Sequence, residues 1–127
     1  MTPEAAAYLA KARECLDEAR KIYAIGLAAV AVRSAYYAGF HAAEALIISR
    51  SGKIAKSHSG VRSEFSRLTR NDPQIGEEFT AFLAQAYKYK EIGDYGVGAS
   101  AIITLPTADG AIKTADKFIT RISELLA

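Results

Sequence analysis

The chain has 127 residues, half of them hydrophobic and 24% charged, so it is expected to fold as one domain, residues 1–127, and not to be disordered. Sixteen Lys and Arg residues against 14 Asp and Glu give a net charge of +2, which is too small to indicate a nucleic-acid partner by itself. The single cysteine, Cys15, excludes an intrachain disulfide and favours a reducing, cytoplasmic location, and the N-terminus lacks the apolar run of a signal peptide.

The first predicted helix begins close to the N-terminus. Thr2 is a good N-cap, and Pro3 suits the first helical position because the backbone N–H that it lacks would have no helical partner there. Apolar residues then recur at three- and four-residue steps until Gly26 marks a turn. This helix is therefore expected to bury one face only.

The second predicted helix, Leu27–Ile48, is apolar or small on nearly every face. Such a helix is buried almost all round, in a tight bundle or against a second copy of the chain. It has the length of a membrane span, but polar residues inside it favour a buried helix of a soluble protein. These residues, Arg33, Tyr37, His41 and Glu44, lie within one stripe about 80° wide.

Two further helices are predicted after a basic loop, Lys53–Gly60. Ser59 is predicted to cap a short third helix. Asp72 as cap and Pro73 as first residue are predicted to begin a fourth helix, which ends around Gly93.

The last part of the chain is predicted to be an irregular connection, Asp94–Leu105, followed by a helix from Thr107 to Leu126. Together these elements predict an all-α fold: an antiparallel helical bundle of four long helices plus one short helix.

Motifs for a metal ion or a cofactor are missing from the sequence. The two histidines, His41 and His58, lie far apart, and no HExxH, CxxC or Glu-x-x-His repeat occurs. The glycine patterns of a Rossmann site and of a P-loop are also absent. We therefore expect neither a metal nor a cofactor.

Besides the polar stripe of the second helix, two segments carry residues that could do chemistry, Lys56–Gly60 and Lys88–Gly96. Ser34–Leu46, SAYYAGFHAAEAL, resembles the block R/S-A-Y-Y-A-x-F-H-A-A-x-A-L of HEPN-domain proteins, more narrowly of the small stand-alone prokaryotic group. Lys56–Val61, KSHSGV, resembles the element K-T/S-H-S-G-V that follows in that group. Lys90–Tyr95 matches in part its element R-x-x-A-D-Y at the end of a long helix.

This resemblance implies a HEPN-like bundle, a homodimer and a relation to RNA or nucleotides. Many members are metal-independent endoribonucleases of toxin-antitoxin or defence systems. In active members an Arg, and a His four to six residues later, assist attack by a ribose 2′-OH on the adjacent phosphate, and two copies meet across the dimer to form one site.

This sequence departs from that motif at both positions, with Lys90 in place of the Arg and Tyr95 in place of the His. Lys lacks the bidentate fork of Arg, and Tyr is a poor base at neutral pH. The resemblance, with these two departures, therefore implies an RNA- or nucleotide-binding protein with weak or lost endoribonuclease activity.

The predicted catalytic residues are His58, as a replacement base, together with Lys90 and Tyr95. Six residues are predicted to bind RNA or a nucleotide: Lys56, Ser57, His58, Lys90, Asp94 and Arg33.

The same residues are also compatible with a protein that has no catalytic site. The resemblance also allows a non-catalytic dimeric interaction module that pairs with a nucleotidyltransferase-type partner, as some members of the family do. His41 and Glu44 also suit a pair in the core, and Lys90 suits a solvated helix end that the helix dipole favours. Tyr95 suits a side chain that packs back on the bundle.

Overall fold

The structure is a computed structural model that describes all 127 residues. It contains helices and no strand, which confirms the all-α prediction of four long helices and one short one. The helices are α1 (Pro3–Ala24), α2 (Ala28–Ser51), α3 (His58–Thr69), α4 (Glu78–Tyr95) and α5 (Leu105–Leu126), and a 3₁₀ turn, Ala99–Ala101, lies between α4 and α5.

Helix α2 is the centre of the bundle, where it contacts each of the other four helices. Fourteen of its 24 residues are buried, so its all-round apolarity is explained within one chain and requires no second copy. Small residues let its neighbours approach closely. At Gly39, for example, a methyl group would collide with the Phe82 ring of α4 and press on Phe118 of α5. None of the helices has the length and apolarity needed to cross a membrane.

Polar contacts between helices define their directions. Arg20 of α1 pairs with Asp116 of α5 at 3.1 Å, and Arg13 donates to Ser123, so these helices are antiparallel. Gly93, near the end of α4, lies against Ala29 at the start of α2, so α4 is antiparallel to α2. The ends of α1 and α4 and the starts of α2 and α5 therefore share one end of the bundle.

The predicted start of the fourth helix is wrong. Asp72 does not cap α4 and Pro73 is not its first residue, since α4 begins at Glu78. The Asp72 carboxylate instead accepts the N–H of Gln74 at 2.9 Å, and its carbonyl accepts the N–H of Gly76 at 3.0 Å. Gly76 has a φ of +73°, which favours glycine and closes this turn before the helix can begin.

Two other boundaries differ from the prediction. The cap of α3 is Ser57, whose hydroxyl accepts the N–H of Gly60 at 3.0 Å, whereas Ser59 lies inside the helix. Helix α4 continues to Tyr95, so Asp94 and Tyr95 are helical and not part of an irregular connection. These corrections place His58 at the first position of α3 and Asp94 one helical turn after Lys90.

Candidate functional site

His58 lies at the start of α3 with its ring packed among aromatic side chains of α2 and α4. The ring centroid is 4.8 Å from that of Phe40, 5.5 Å from that of Tyr87 and 5.9 Å from that of Tyr37. Its Nδ1 atom lies 2.9 Å from the hydroxyl of Tyr36, which is fully buried. We call His58 and these four rings the aromatic cluster.

Burial lowers the pKa of His58 below its ordinary value, and the positive charges of Lys90 and Arg62 lower it further. Glu91 and Glu44 act in the opposite direction with smaller effect. The imidazole is therefore neutral at physiological pH. Burial also raises the pKa of Tyr36 to about 12, so its hydroxyl keeps its proton there.

Two residues of the site were not predicted from the sequence: Tyr87, which belongs to the aromatic cluster, and Arg62, which lies against it. The Arg62 guanidinium lies over the Tyr87 ring, 4.2 Å from its centroid, and its Nη1 atom is buried without a hydrogen-bond partner. Both could have been found from helical spacing. Arg62 follows His58 by four residues and Tyr87 precedes Lys90 by three, so each pair shares a helix face.

Lys90 lies beside the aromatic cluster and is only 9% exposed. Its Nζ atom is 2.9 Å from Asp94 Oδ2 and about equally far from the rings of Tyr87 and Tyr37, at 5.9 and 6.0 Å. The Asp94 carboxylate raises the pKa of Lys90, which is therefore charged. The interpretation of Lys90 as a solvated helix end is thus wrong.

Asp94 also contacts Arg33 of α2, which the sequence predicts to bind RNA or a nucleotide. Its second carboxylate oxygen lies 3.4 Å from Nε of Arg33, whose side chain is 44% exposed. One carboxylate therefore joins two cations from two helices, and both keep donors that Asp94 alone does not use.

The other predicted site residues lie in different surroundings. Tyr95 is 77% exposed and does not pack back on the bundle, because it follows Asp94 by one residue and so faces about 100° away from it. Lys56 is exposed in the loop before α3. Ser57 is the cap of α3. The structure thus brings His58, Lys90, Asp94 and Arg33 near one another, and Tyr95 is not part of that group.

His41 and Glu44 form a hydrogen-bonded pair in the core, which agrees with the core pair that the sequence also allows and not with a role in the site. His41 Nδ1 is 2.6 Å from Glu44 Oε1, and Glu44 is 7% exposed. Nowhere in the chain are three or more His, Cys, Asp or Glu side chains grouped so that they could hold a metal ion.

The chemistry available at the site is therefore recognition by charge and by hydrogen bonds. Lys90 and Arg33 offer two positive charges, His58 offers one neutral ring, and the partly buried rings of Tyr37 and Tyr87 border them. This arrangement suits an anion that carries several acceptor oxygens and an aromatic group.

Comparison with known proteins gives a consistent result. A family model described as "HEPN domain" matches residues 5–125. A UPF0332 protein of Thermotoga maritima is 33% identical over 86 residues, 68% of this chain and 64% of that protein, so the matched region is less than two thirds of its length. A UPF0332 protein of Gloeobacter violaceus is 31% identical over 127 residues, which are all of this chain and 99% of that one.

Two further similarities concern a named toxin and a solved structure. A Methanocaldococcus jannaschii protein named "Putative toxin MJ0605" is 30% identical over 115 residues, 91% of this chain and 83% of that one. The crystal structure of TT1696 from Thermus thermophilus has a TM-score of 0.76, with 23% identity over 97% of this chain and 98% of that one. The structural similarity shows that the two share a fold.

Proposed function

The chain belongs to the HEPN domain family, and on that premise we propose that it binds RNA at the surface formed by Lys90, Arg33 and His58, with weak or no endoribonuclease activity. The observation that carries this proposal is Lys90 itself. A lysine is seldom only 9% exposed, because burying an ammonium group costs free energy that the two nearby carboxylates, Asp94 at 2.9 Å and Glu91 at 3.9 Å, only partly offset.

A phosphodiester fits the donors at this surface. Asp94 bonds one face of the Lys90 ammonium, which has three N–H donors, and Arg33 contacts the same carboxylate through Nε while its side chain is 44% exposed. A phosphate would therefore find two cations already held in place. The neighbouring rings of Tyr37 and Tyr87 provide a surface on which a base can stack.

Weak cleavage follows from the position of the residues that would have to move protons. Removal of the 2′-OH proton needs a base within hydrogen-bond reach of it. Tyr95 is largely exposed and apart from Lys90, and His58 already uses Nδ1 for Tyr36. The surface is therefore better suited to holding RNA than to cutting it.

The biological setting we propose is a toxin-antitoxin or defence system in the cytoplasm. The name of the Methanocaldococcus relative, "Putative toxin MJ0605", supports the toxin part of this setting. A homodimer would place two such surfaces in one particle and so strengthen binding to a single RNA through effective concentration.

Binding is tested with a fluorescein-labelled single-stranded RNA by fluorescence anisotropy at fixed salt. Two variants, Lys90→Met and Arg33→Gln, are expected to lower the affinity about tenfold or more, since each removes a phosphate contact. The matched control is Lys117→Met, because Lys117 is exposed on α5 and pairs with Glu78 at 3.3 Å. No binding by the wild type, or equal losses in all three variants, would contradict the proposal.

Cleavage is tested on the same RNA in the presence of EDTA. We expect intact RNA after prolonged incubation, or slow cleavage that is unchanged by Tyr95→Phe. Rapid cleavage that disappears in Tyr95→Phe would show that the activity is retained and that Tyr95 is catalytic.

A second candidate function is supported by a different part of the molecule, the end of the bundle at which α1 and α4 finish. Large apolar side chains are exposed there, with Ile25 at 72%, Val97 at 88% and Ile102 at 70%. Large exposed apolar side chains at one end of a bundle suit a protein interface. It favours an interaction module, with a second copy of the chain or a nucleotidyltransferase-type protein as the partner.

The partner hypothesis is tested with Val97→Asp and Ile102→Asp. If the apolar end is an interface, these variants are expected to reduce the molar mass measured by light scattering, or to lose a partner that co-purifies stoichiometrically with the wild type. A wild type that is monomeric and has no such partner would count against it.

A further inference from the structure

The hydrogen bond between Tyr36 and His58 joins a fully buried residue of α2 to a half-buried residue of the site. Tyr36 is 0% exposed, and its hydroxyl lies 2.9 Å from His58 Nδ1. A neutral imidazole carries its proton on one nitrogen and accepts with the other, so the direction of this bond decides what His58 can offer to a ligand.

The groups around Tyr36 favour a bond in which the tyrosine donates. The Tyr36 hydroxyl keeps its proton at physiological pH, and burial leaves it no water to bond. The cation near its oxygen, Arg62, is a donor only and cannot accept that proton. The one acceptor that the structure places within hydrogen-bond distance of the Tyr36 hydroxyl is Nδ1 of His58.

The other nitrogen of His58 is free for a ligand. Nε2 makes no hydrogen bond within the protein and is not completely buried, since His58 is half-buried. Nε2 therefore has contact with solvent. If Nδ1 accepts from Tyr36, the imidazole proton is on this accessible nitrogen.

We propose that Tyr36 is a positioning residue that holds His58 as its neutral Nε2–H tautomer, so that His58 donates a hydrogen bond to a phosphate oxygen of bound RNA. The donor role rests on the proposed RNA binding, whereas the tautomer does not. A ring in this form has no lone pair on its accessible nitrogen and cannot take the 2′-OH proton there. If His58 donates a hydrogen bond from Nε2 where cleavage needs a general base, the proposed weak cleavage has a chemical cause.

The tautomer is measured directly by nitrogen-15 NMR of the histidine rings, at a pH at which both are neutral. The chain has two histidines, and His41→Gln and His58→Gln variants assign their signals. His41 is an internal control, because its Nδ1 lies 2.6 Å from a Glu44 carboxylate oxygen, which can only accept, and it must carry its proton on Nδ1. The two rings are thus expected to show opposite patterns.

For wild-type His58 we expect a protonated Nε2 and a bare Nδ1. In Tyr36→Phe the Nδ1 atom loses its donor, and the signals are expected to shift towards a mixture of tautomers. A wild-type His58 that carries its proton on Nδ1 overturns the proposal, and it does so even if the Tyr36→Phe variant fails to fold.

The donor role is tested by RNA affinity in His58→Gln and His58→Leu. A Gln amide places an N–H near the position of Nε2, so it is expected to retain affinity within about threefold, whereas Leu is expected to lose about tenfold, as for a hydrogen bond to a charged acceptor. Equal affinities in the two variants overturn the donor role. If the wild type binds no RNA, the proposed function fails while the NMR result still decides the tautomer.

Discussion

The two sides of the central helix α2 are built differently. On the α1 and α5 side, the polar contacts are exposed: Arg20 and Asp116 are 53% and 51% exposed, and below them the buried side chains are apolar. On the α3 and α4 side, Lys90 and His58 sit among aromatic rings, and the buried Arg62 Nη1 atom has no partner. The first side is organised for packing, whereas the second side keeps polar groups buried that packing alone would not require.

The largest effect is expected from overpacking α2 at Gly39, where the two sides meet between α4 and α5. A methyl group at Gly39 would meet the Phe82 ring and crowd Phe118, so Gly39→Ala is expected to lower the free energy of unfolding by about 1–3 kcal/mol. Urea denaturation measures it. The control is Gly110→Ala in α5, which meets nothing within 4 Å and is expected to stabilise by about 0.5–1 kcal/mol. A stable Gly39→Ala protein would mean that the bundle can loosen around α2.

The second effect concerns Asp94, which already occupies the two cations of the proposed RNA site. Lys90 and Arg33 keep free donors for a phosphate, but the negative charge of this carboxylate, at 2.9 and 3.4 Å from the two cations, repels an incoming anion. Asp94→Asn is therefore expected to raise RNA affinity about fivefold, equivalent to roughly 1 kcal/mol, the upper range for a partly exposed ion pair.

The control for Asp94→Asn removes the same charge elsewhere. Asp109 pairs with Lys113 at 2.8 Å in the same i,i+4 arrangement on α5, so Asp109→Asn changes net charge without touching the site. Equal gains in the two variants would assign the effect to overall charge. A loss of affinity in Asp94→Asn would show instead that Asp94 is needed to hold the cations in place.

A smaller effect is expected from the exposed ion pair on the first side. Arg20→Gln removes the 3.1 Å contact with Asp116, and because both side chains are more than half exposed, the expected loss of stability is about 0.2–1 kcal/mol. RNA affinity should not change. A loss of stability above this range, or any change in RNA affinity, would contradict the assignment of packing to the first side and of binding to the second.

The sequence predicted much of this architecture because the signals were local. Apolar periodicity in α1 and α5 located both helices, and the polar residues inside α2 argued correctly against a membrane span. The start of α4 was mispredicted because Asp-Pro is equally typical of a tight turn, and the left-handed φ of Gly76 that favours the turn is not visible in composition.

The site was harder to predict, since its contacts join distant segments. Lys90 and Asp94 are four residues apart, so their pairing follows from helical spacing. The contact of Tyr36 with His58 spans 22 residues and two helices, and no spacing rule supplies it. Tyr95 was assigned by its place in a motif, and helix geometry then directed it away from Lys90.

The smallest effect is expected on the pKa of His58, which depends on the charges of the second side. Burial, Lys90 and Arg62 lower the pKa of His58 from 6.5, against smaller contributions from Glu91 and Glu44. Because the folded state resists a proton that the unfolded chain accepts, this group lowers stability as the pH falls below about 6.5. Lys90→Met removes one positive charge, so proton NMR of the His58 ring should show its pKa rising towards 6.5 without reaching it, since burial remains. The same measurement on Lys117→Met should show no change, and an unchanged pKa in Lys90→Met would mean that Lys90 and His58 do not share one site.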